Sequence, residues 1–199
     1  MKNRGRRTKG REMKKIPVIV GVVLAVSIFI SSTALSGTFK LPDTGQTICY
    51  DAIGNMISCE GTGQDGAYNI NPLSYTDNGD GTVTDNNTGL MWQNNAGGLY
   101  NWYEATGTYH ATYNQGAIDV CGSLSLGGHP DWRLPSKKEL VSIVNYGISS
   151  PGPAIDPIFL NTQAYEYWSS TTYAKDEQQQ SAWVLGFRTG YAYGQVKGN

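Results

Sequence analysis

The sequence predicts an α+β fold in which an antiparallel sheet is accompanied by two short helices. Residues 75–92 contain closely spaced turn signals between short β-prone runs, which is the pattern of a β-meander. Helical periodicity follows in residues 113–124 and 137–147, and aromatic residues alternate with Ser and Thr from residue 165 onward. This order, in which strands are followed by two helices and then by further strands, is typical of an α+β domain rather than of repeated βαβ units.

Residues 1–36 have the layout of a secretory signal peptide. A basic stretch precedes the apolar run Ile16–Ile30, and small residues then lead to a small-x-small site that ends at Ser36. We therefore expect export and cleavage near Ser36-Gly37. An uncleaved membrane anchor is the alternative, although the apolar run is short for a membrane span. A start at Met13 would give a more typical leader.

Removal of this leader makes the chain acidic. The leader holds eight of the fifteen Lys and Arg residues and one of the sixteen Asp and Glu residues. Residues 37–199 therefore keep seven bases against fifteen acids, a formal net charge of −8. Nucleic acids and other polyanions are poor partners for such a surface. About 160 residues are enough for one domain with its own core.

Residues 37–70 read as an extended, glycine-rich lead-in that carries a disulfide hairpin. Cys49 and Cys59 flank the turn signal Gly54-Asn55, so the two thiols can face each other across a short hairpin in an oxidising compartment. A loop of this size stabilises by about 3 kcal/mol in the chain-entropy model. Cys121 is left without a partner.

The meander begins the main domain, residues 71–199. We expect strands at Thr82–Thr84 and Leu90–Trp92, joined by turns that are rich in Asn and Gly. The loop acids resemble a calcium loop but lack its closing bidentate Glu. We expect turn chemistry and no bound calcium from Asp77, Asp80 and Asp85.

The two helices have different signals. In YNQGAIDVCGSL (113–124) five residues share one helical face, weakened by two glycines: Tyr113, Ala117, Val120, Cys121 and Leu124. The second helix begins at Lys137, because Ser136 and Glu139 have the spacing of a capping box, and it is expected to end at Gly147. Its apolar face consists of Leu140, Ile143 and Val144.

No motif of enzymatic chemistry is present. His110 and His129 do not lie at metal-ligand spacing from another His or Cys, and Cys121 lies on an apolar face with no adjacent base. Nucleophile elbows, phosphate-binding glycine loops and zinc signatures are absent from the sequence. We therefore expect a non-enzymatic protein without a cofactor or metal site.

Five blocks resemble, in this order, the C-terminal domain family of the Legionella collagen-like adhesin: CYDAIGNMISCEGTGQDG, DNGDGTVTDNNTGLMWQ, DWRLPSKKELVSIVNYG, YWSSTTYA and AWVLGF. The resemblance implies a secreted or surface protein of bacteria with a fold similar to C-type lectins. In that fold Trp132 and Leu134 would fill the core and Arg133 would pair with a carboxylate. The calcium-lectin sugar motifs and the paired cysteines of formylglycine-generating enzymes are absent. The sulfated glycans bound by the name-giving adhesin suit this acidic domain poorly.

These observations favour an exported, adhesin-like recognition domain that binds a glycan or a protein on a cell surface. The alternatives are a structural module of a larger cell-envelope assembly and an enzyme of unrecognised type. Aromatic residues with a polar rim make binding patches. The expected patch lies on the later strands and comprises Tyr165, Tyr167, Trp168, Tyr173, Trp183, Arg188, Tyr191 and Tyr193. Of these, Trp168 and Trp183 also suit a core, whereas Tyr191 and Tyr193 alternate on one strand and share a face.

The resemblance also implies a longer C-terminus. Proteins of this family continue through a final strand of Val-Arg-Cys-Val-Arg type, whereas this sequence stops at YAYGQVKGN. In the lectin-like fold that strand carries the cysteine that bridges to the first helix, which would account for the unpaired Cys121. The domain is therefore expected to lack its last strand and to be marginally stable without it.

Overall fold

A computed structural model describes Leu24–Ala25 and residues 39–199. The predicted leader lies outside the described residues, apart from the strand β1, Leu24–Ala25, which pairs antiparallel with a strand of the meander described below. Within the described residues no helix has the length and apolar character needed to cross a bilayer.

The lead-in forms the predicted disulfide hairpin. Strands β2 (Cys49–Tyr50) and β3 (Met56–Ile57) pair antiparallel, and a single 3₁₀ turn, Asp65–Ala67, follows. The Sγ atoms of Cys49 and Cys59 are bonded at 2.10 Å, which confirms the predicted pairing. The side chain of Gln64 donates to the carbonyl of Tyr50 and accepts from its N–H, so it replaces a third strand on that edge.

The meander also forms as predicted. Strands β4 (Tyr75–Asp77), β5 (Thr82–Asp85) and β6 (Met91–Gln93) make an antiparallel sheet in the order β1-β6-β5-β4. The turn carboxylates bind the backbone N–H and hydroxyl groups of their own turns. Asp80 accepts from the N–H and hydroxyl of Thr82, and Asp85 accepts from the Thr88 hydroxyl and the Asn87 N–H.

The first helix is not where the sequence predicted it. Helix α1 is Trp102–Thr106, whereas residues 113–124 form turns. The Asn114 side chain donates to three backbone carbonyls and accepts from the Ile118 N–H, so it offers the chain an alternative to helical hydrogen bonds. Two glycines and the positive φ of Ala117 oppose a helix in the same segment. Cys121 is nevertheless buried and unpaired.

The second helix, α2, is Lys137–Ser142 and begins at the predicted residue. Leu140, Ile143 and Val144 are all buried, as the periodicity predicted. The helix ends five residues before Gly147 because Val144 leaves it to form a β-bridge with Ile155, while the N–H of the next residue donates to Ala154.

Three long strands complete the fold. Strands β7 (Glu166–Thr172), β8 (Ser181–Gly186) and β9 (Tyr191–Val196) form an antiparallel sheet in this order. Helix α2 packs against β7 and β8. The core therefore lies between this sheet, α2 and the meander, and it contains Val83, Trp92, Trp132, Leu134, Leu140, Ile143, Val144, Tyr167, Trp168, Leu185 and Phe187. Small antiparallel sheets with two short helices confirm the α+β class.

Candidate recognition surface

The WRLP segment is scaffold, in agreement with the expected roles of its residues. Trp132 and Leu134 are buried in the core. The guanidinium of Arg133 donates two hydrogen bonds to the carboxylate of Glu139, at 2.9 and 2.7 Å, and Glu139 also accepts from the Ser136 N–H. This pairing with Arg133 lowers the pKa of Glu139 to about 2. Arg133 thereby holds the Glu139 carboxylate in position for the capping box of α2.

Two of the predicted surface residues belong instead to the core. Tyr167 and Trp168 are 2% and 0% exposed. The Trp168 Nε1–H donates to the carbonyl of Tyr100, while the Tyr167 hydroxyl accepts from the Gln163 N–H and its ring packs edge-on against Phe187. The placement of Tyr167 on the surface was wrong, whereas the core alternative given for Trp168 is the one that the structure shows. Strand β7 is covered on both faces, so it buries successive residues rather than alternate ones.

Trp183 and Tyr173 are half-buried and contact each other. Their rings meet edge to face at 4.8 Å, and the Nζ of Lys137 lies 3.2 Å above the Trp183 ring. A Cβ atom at position 194 would lie 2.6 Å from Cγ of Tyr173, so Gly194 leaves the space that this ring occupies. The faces of this pair are therefore covered by the protein itself.

The edge strand β9 carries the exposed aromatic pair. Tyr191 is 68% exposed, Tyr193 is half-buried, and their rings stack at 6.1 Å with 19° between planes. The predicted sharing of one face is thus confirmed. Arg188 is exposed in the turn before β9, and Tyr165 is exposed at the start of β7.

A notch lies beside this pair, bounded by Glu166, Gly186, Tyr191 and Tyr193. Glu166, Gly186 and Tyr191 are register partners across β7, β8 and β9, so they form one row across the sheet. Two strand spacings of about 4.8 Å separate the backbones of the outer members of the row by roughly 9.5 Å. Gly186 has no side chain to fill this gap. We call these four residues the notch.

The notch is polar on one side and aromatic on the other. Burial, the negative charge of Glu166 and a hydrogen bond to that carboxylate together raise the pKa of the Tyr193 hydroxyl to about 12. The Tyr193 hydroxyl is therefore neutral at physiological pH and lies near the Glu166 carboxylate. One carboxylate and two aromatic rings thus lie on one face of the sheet, with the bare backbone of Gly186 between Glu166 and Tyr191.

Sequence reasoning missed Glu166 and Gly186. Glu166 carried a signal, because alternation along EYW places it on the face of Trp168 rather than of Tyr167. Its proximity to β9, however, depends on a register across two strand pairs, which no local pattern encodes. Sequence reasoning also missed a cluster of three rings, Tyr103, His110 and Tyr113, whose centroids lie 4.4–5.9 Å apart.

The remaining candidates offer less chemistry. A cavity of about 620 Å³ in the lead-in is lined by Cys59, Glu60, Gly61, Gly63, Gly66, Ala67 and Tyr68. Glycine backbone forms much of this lining. Within the described residues, no group of three His, Cys, Asp or Glu side chains is arranged to hold a metal ion.

The comparison with protein families decides the relationship that the motifs indicated. The family model described as Lcl C-terminal domain matches residues 81–199, more than half of the chain. The chain belongs to this family. The match includes the meander from its second strand, both helices and the three-stranded sheet that carries the notch. No curated protein and no solved structure matches the chain.

Proposed function

We propose that this chain is an exported, non-enzymatic recognition domain that binds a cell-surface glycan at the notch. The observation that carries the proposal is the exposed, stacked pair Tyr191 and Tyr193 beside the carboxylate of Glu166. A sugar ring has apolar C–H faces and a rim of hydroxyl groups. Aromatic rings pack against the C–H faces, and a carboxylate with free acceptor positions binds the hydroxyl groups.

Membership of an adhesin-type domain family supports this function. So does the make-up of the site, because Gly186 has no side chain and lies between Glu166 and Tyr191 on one face of the sheet. The rigidity of the sheet holds the aromatic residues in place before the ligand arrives, which reduces the entropy lost on binding.

A glycan array tests the proposal with the exported protein and two variants. Tyr191→Ala removes the most exposed ring of the notch, and Gly186→Val fills its floor with a residue that suits a strand. The nearest atom to a Cβ at position 186 is the Tyr191 carbonyl oxygen, 3.8 Å away, so the backbone can accept a side chain. The control, Tyr109→Ala, removes a ring that is 66% exposed in a different part of the domain.

We expect the wild-type protein and Tyr109→Ala to bind the same glycans, and the two notch variants to lose at least tenfold in affinity, about 1.4 kcal/mol. Absence of glycan binding by the wild-type protein would overturn the proposal. So would equal binding by Tyr191→Ala and the wild-type protein.

The lead-in hairpin favours a second candidate function, that of a module in a larger cell-envelope assembly. Ile53 and Met56 are 84% and 72% exposed at the hairpin, and Tyr50, Ile48 and Ile57 are each more than 40% exposed. Contiguous exposed apolar residues commonly mark protein interfaces. Sedimentation of envelope extracts tests this, because Ile53→Asp with Met56→Asp should release the chain from a larger complex. Unchanged sedimentation of the double variant would exclude the hairpin as the contact.

A further inference from the structure

The domain places cations over two of its aromatic rings. Lys137 Nζ lies 3.2 Å from the centroid of Trp183, and Lys197 Nζ lies 4.3 Å from that of Trp102. Such contacts stabilise because the face of an aromatic ring is electron-rich. Tyr191 is more exposed than either tryptophan, and among the described residues no cation lies over Tyr191 or Tyr193.

The carboxylate beside this pair also lacks a cation. The ion pair within the described residues is Arg133–Glu139, so no Lys or Arg there neutralises Glu166. The nearby Tyr193 hydroxyl is neutral and leaves the charge of Glu166 in place. The notch therefore combines a negative charge with two electron-rich ring faces, and both attract a positive group.

We propose that the ligand of the notch is a glycan that contains amino sugars with free amino groups. This inference rests on the proposed function and specifies its ligand. The protonated amine would lie between the Glu166 carboxylate and the Tyr193 ring, and its sugar ring would stack on Tyr191. A charge-assisted hydrogen bond to Glu166 and a cation–π contact are each stronger than the contacts that a neutral acetamido group makes there.

The charge of the domain supports the same ligand class. Residues 37–199 carry a formal net charge of −8, which attracts polycationic chains and repels sulfated ones. Arg188, in the turn next to the notch, is the residue that a sulfated glycan would use instead. An amino-sugar ligand therefore requires Glu166, whereas a sulfated ligand would require Arg188 and would be repelled by Glu166.

Calorimetric titration with three defined probes tests the inference: a glucosamine hexamer with free amines, the matching N-acetylglucosamine hexamer and a heparin-derived hexasaccharide. The titrations are done at low salt and at a pH where the glucosamine amines are protonated. The exported protein should bind the free-amine hexamer about tenfold more tightly than the acetylated one, and the heparin fragment most weakly. Added salt should reduce this preference, because it screens the charge of a half-buried carboxylate that solvent still reaches.

Two variants separate the outcomes. Glu166→Gln keeps the shape of the notch and should abolish the preference for the free amine, while Arg188→Gln should keep or increase it. Near-ultraviolet circular dichroism confirms that both variants retain the wild-type packing.

Equal or tighter binding of the acetylated hexamer would overturn this inference but leave the glycan-binding function standing. Strongest binding of the heparin fragment, lost in Arg188→Gln, would also overturn it. If none of the three probes binds, the inference fails. The proposed function then depends on the array alone.

Discussion

Glu139 links the most specific sequence motif of the chain to its stability. The residue is both the N3 member of a capping box and the partner of Arg133, and its side chain is 22% exposed. A carboxyl group whose pKa is lowered by folding contributes stability above its unfolded pKa. That contribution is lost as the pH falls towards the folded pKa.

We therefore expect a pH-dependent difference between the wild-type protein and Glu139→Gln. Glutamine retains the capping interaction, so the variant loses mainly the ion pair, about 1 kcal/mol at neutral pH. The pKa of Glu139 falls from its usual 4.5 to about 2 on folding, so this difference should be complete above pH 4.5 and vanish towards pH 2. Urea unfolding across this range measures it. Glu177→Gln, in an exposed loop, is the control, and a pH-independent difference would contradict the assignment.

Cys121 is the second residue whose environment makes a direct prediction. It is 2% exposed, and burial raises the pKa of its thiol to about 12. Because the thiolate is the reactive form, the native protein should not react with a thiol reagent at neutral pH, and one thiol should appear on unfolding. Rapid reaction of one thiol in the native state would mean that the segment around Cys121 opens readily.

The two helices show why an element can be predicted or missed. Both begin with a complete capping box, Asn101 with Glu104 and Ser136 with Glu139. The box of α2 is followed by apolar residues at helical spacing, which made it recognisable. Helix α1 is five residues long and buries Ala105 alone, so no periodicity accompanies its box. The false helix at 113–124 had the periodicity but no cap.

The capping interactions predict how much stability the domain loses when the N-cap residue of each helix is replaced. Ser136→Ala should destabilise the domain by about 1 kcal/mol and leave ligand binding at the notch unchanged. Asn101→Ala should cost more, because this side chain also donates to the Tyr113 carbonyl and thereby fixes the following loop. Thermal or urea unfolding measures both. In the control Ser142→Ala, the lost hydroxyl donates only to the Glu139 carbonyl of its own helix, and the higher helix propensity of Ala offsets this loss. The free energy of unfolding should therefore change by a few tenths of a kcal/mol. Equal costs for Ser142 and Ser136 would contradict the capping assignment.

At the scale of the molecule, local patterns predicted strands and the α+β class but not the contents of the site. The sequence identified Tyr191 and Tyr193 because a strand places alternate residues on one face. It could not separate them from Tyr167, whose burial depends on contacts with Gln163 and Phe187. It left Trp168 open between surface and core, and the contact with Tyr100 decides for the core. Glu166 joined the site only through the register of three strands.

The lead-in hairpin is held together by its own contacts and is joined to the family domain through the segment that precedes it. The hairpin at 48–68 is held by its own disulfide, by Gln64 and by the turn bonds of Asp51. The segment before the hairpin bonds to the family domain: the Lys40 N–H donates to the Asn87 carbonyl, and the Thr44 carbonyl accepts from the Tyr146 N–H. A two-stranded hairpin is marginally stable alone, so the cross-link, worth about 3 kcal/mol for a loop of this size, should decide whether it is ordered.

We therefore expect the double variant Cys49→Ser, Cys59→Ser to lose the hairpin without unfolding the domain. Hydrogen exchange of peptides from residues 48–68 should accelerate strongly, because local opening no longer has to break a covalent link. Peptides from β5, β7 and β8 should exchange as in the wild-type protein, and glycan binding at the notch should persist. The single variant Cys121→Ser is the control for replacement of a cysteine. A large fall in the melting temperature of the double variant, with faster exchange in β7 and β8, would show instead that the hairpin and the family domain unfold as one unit.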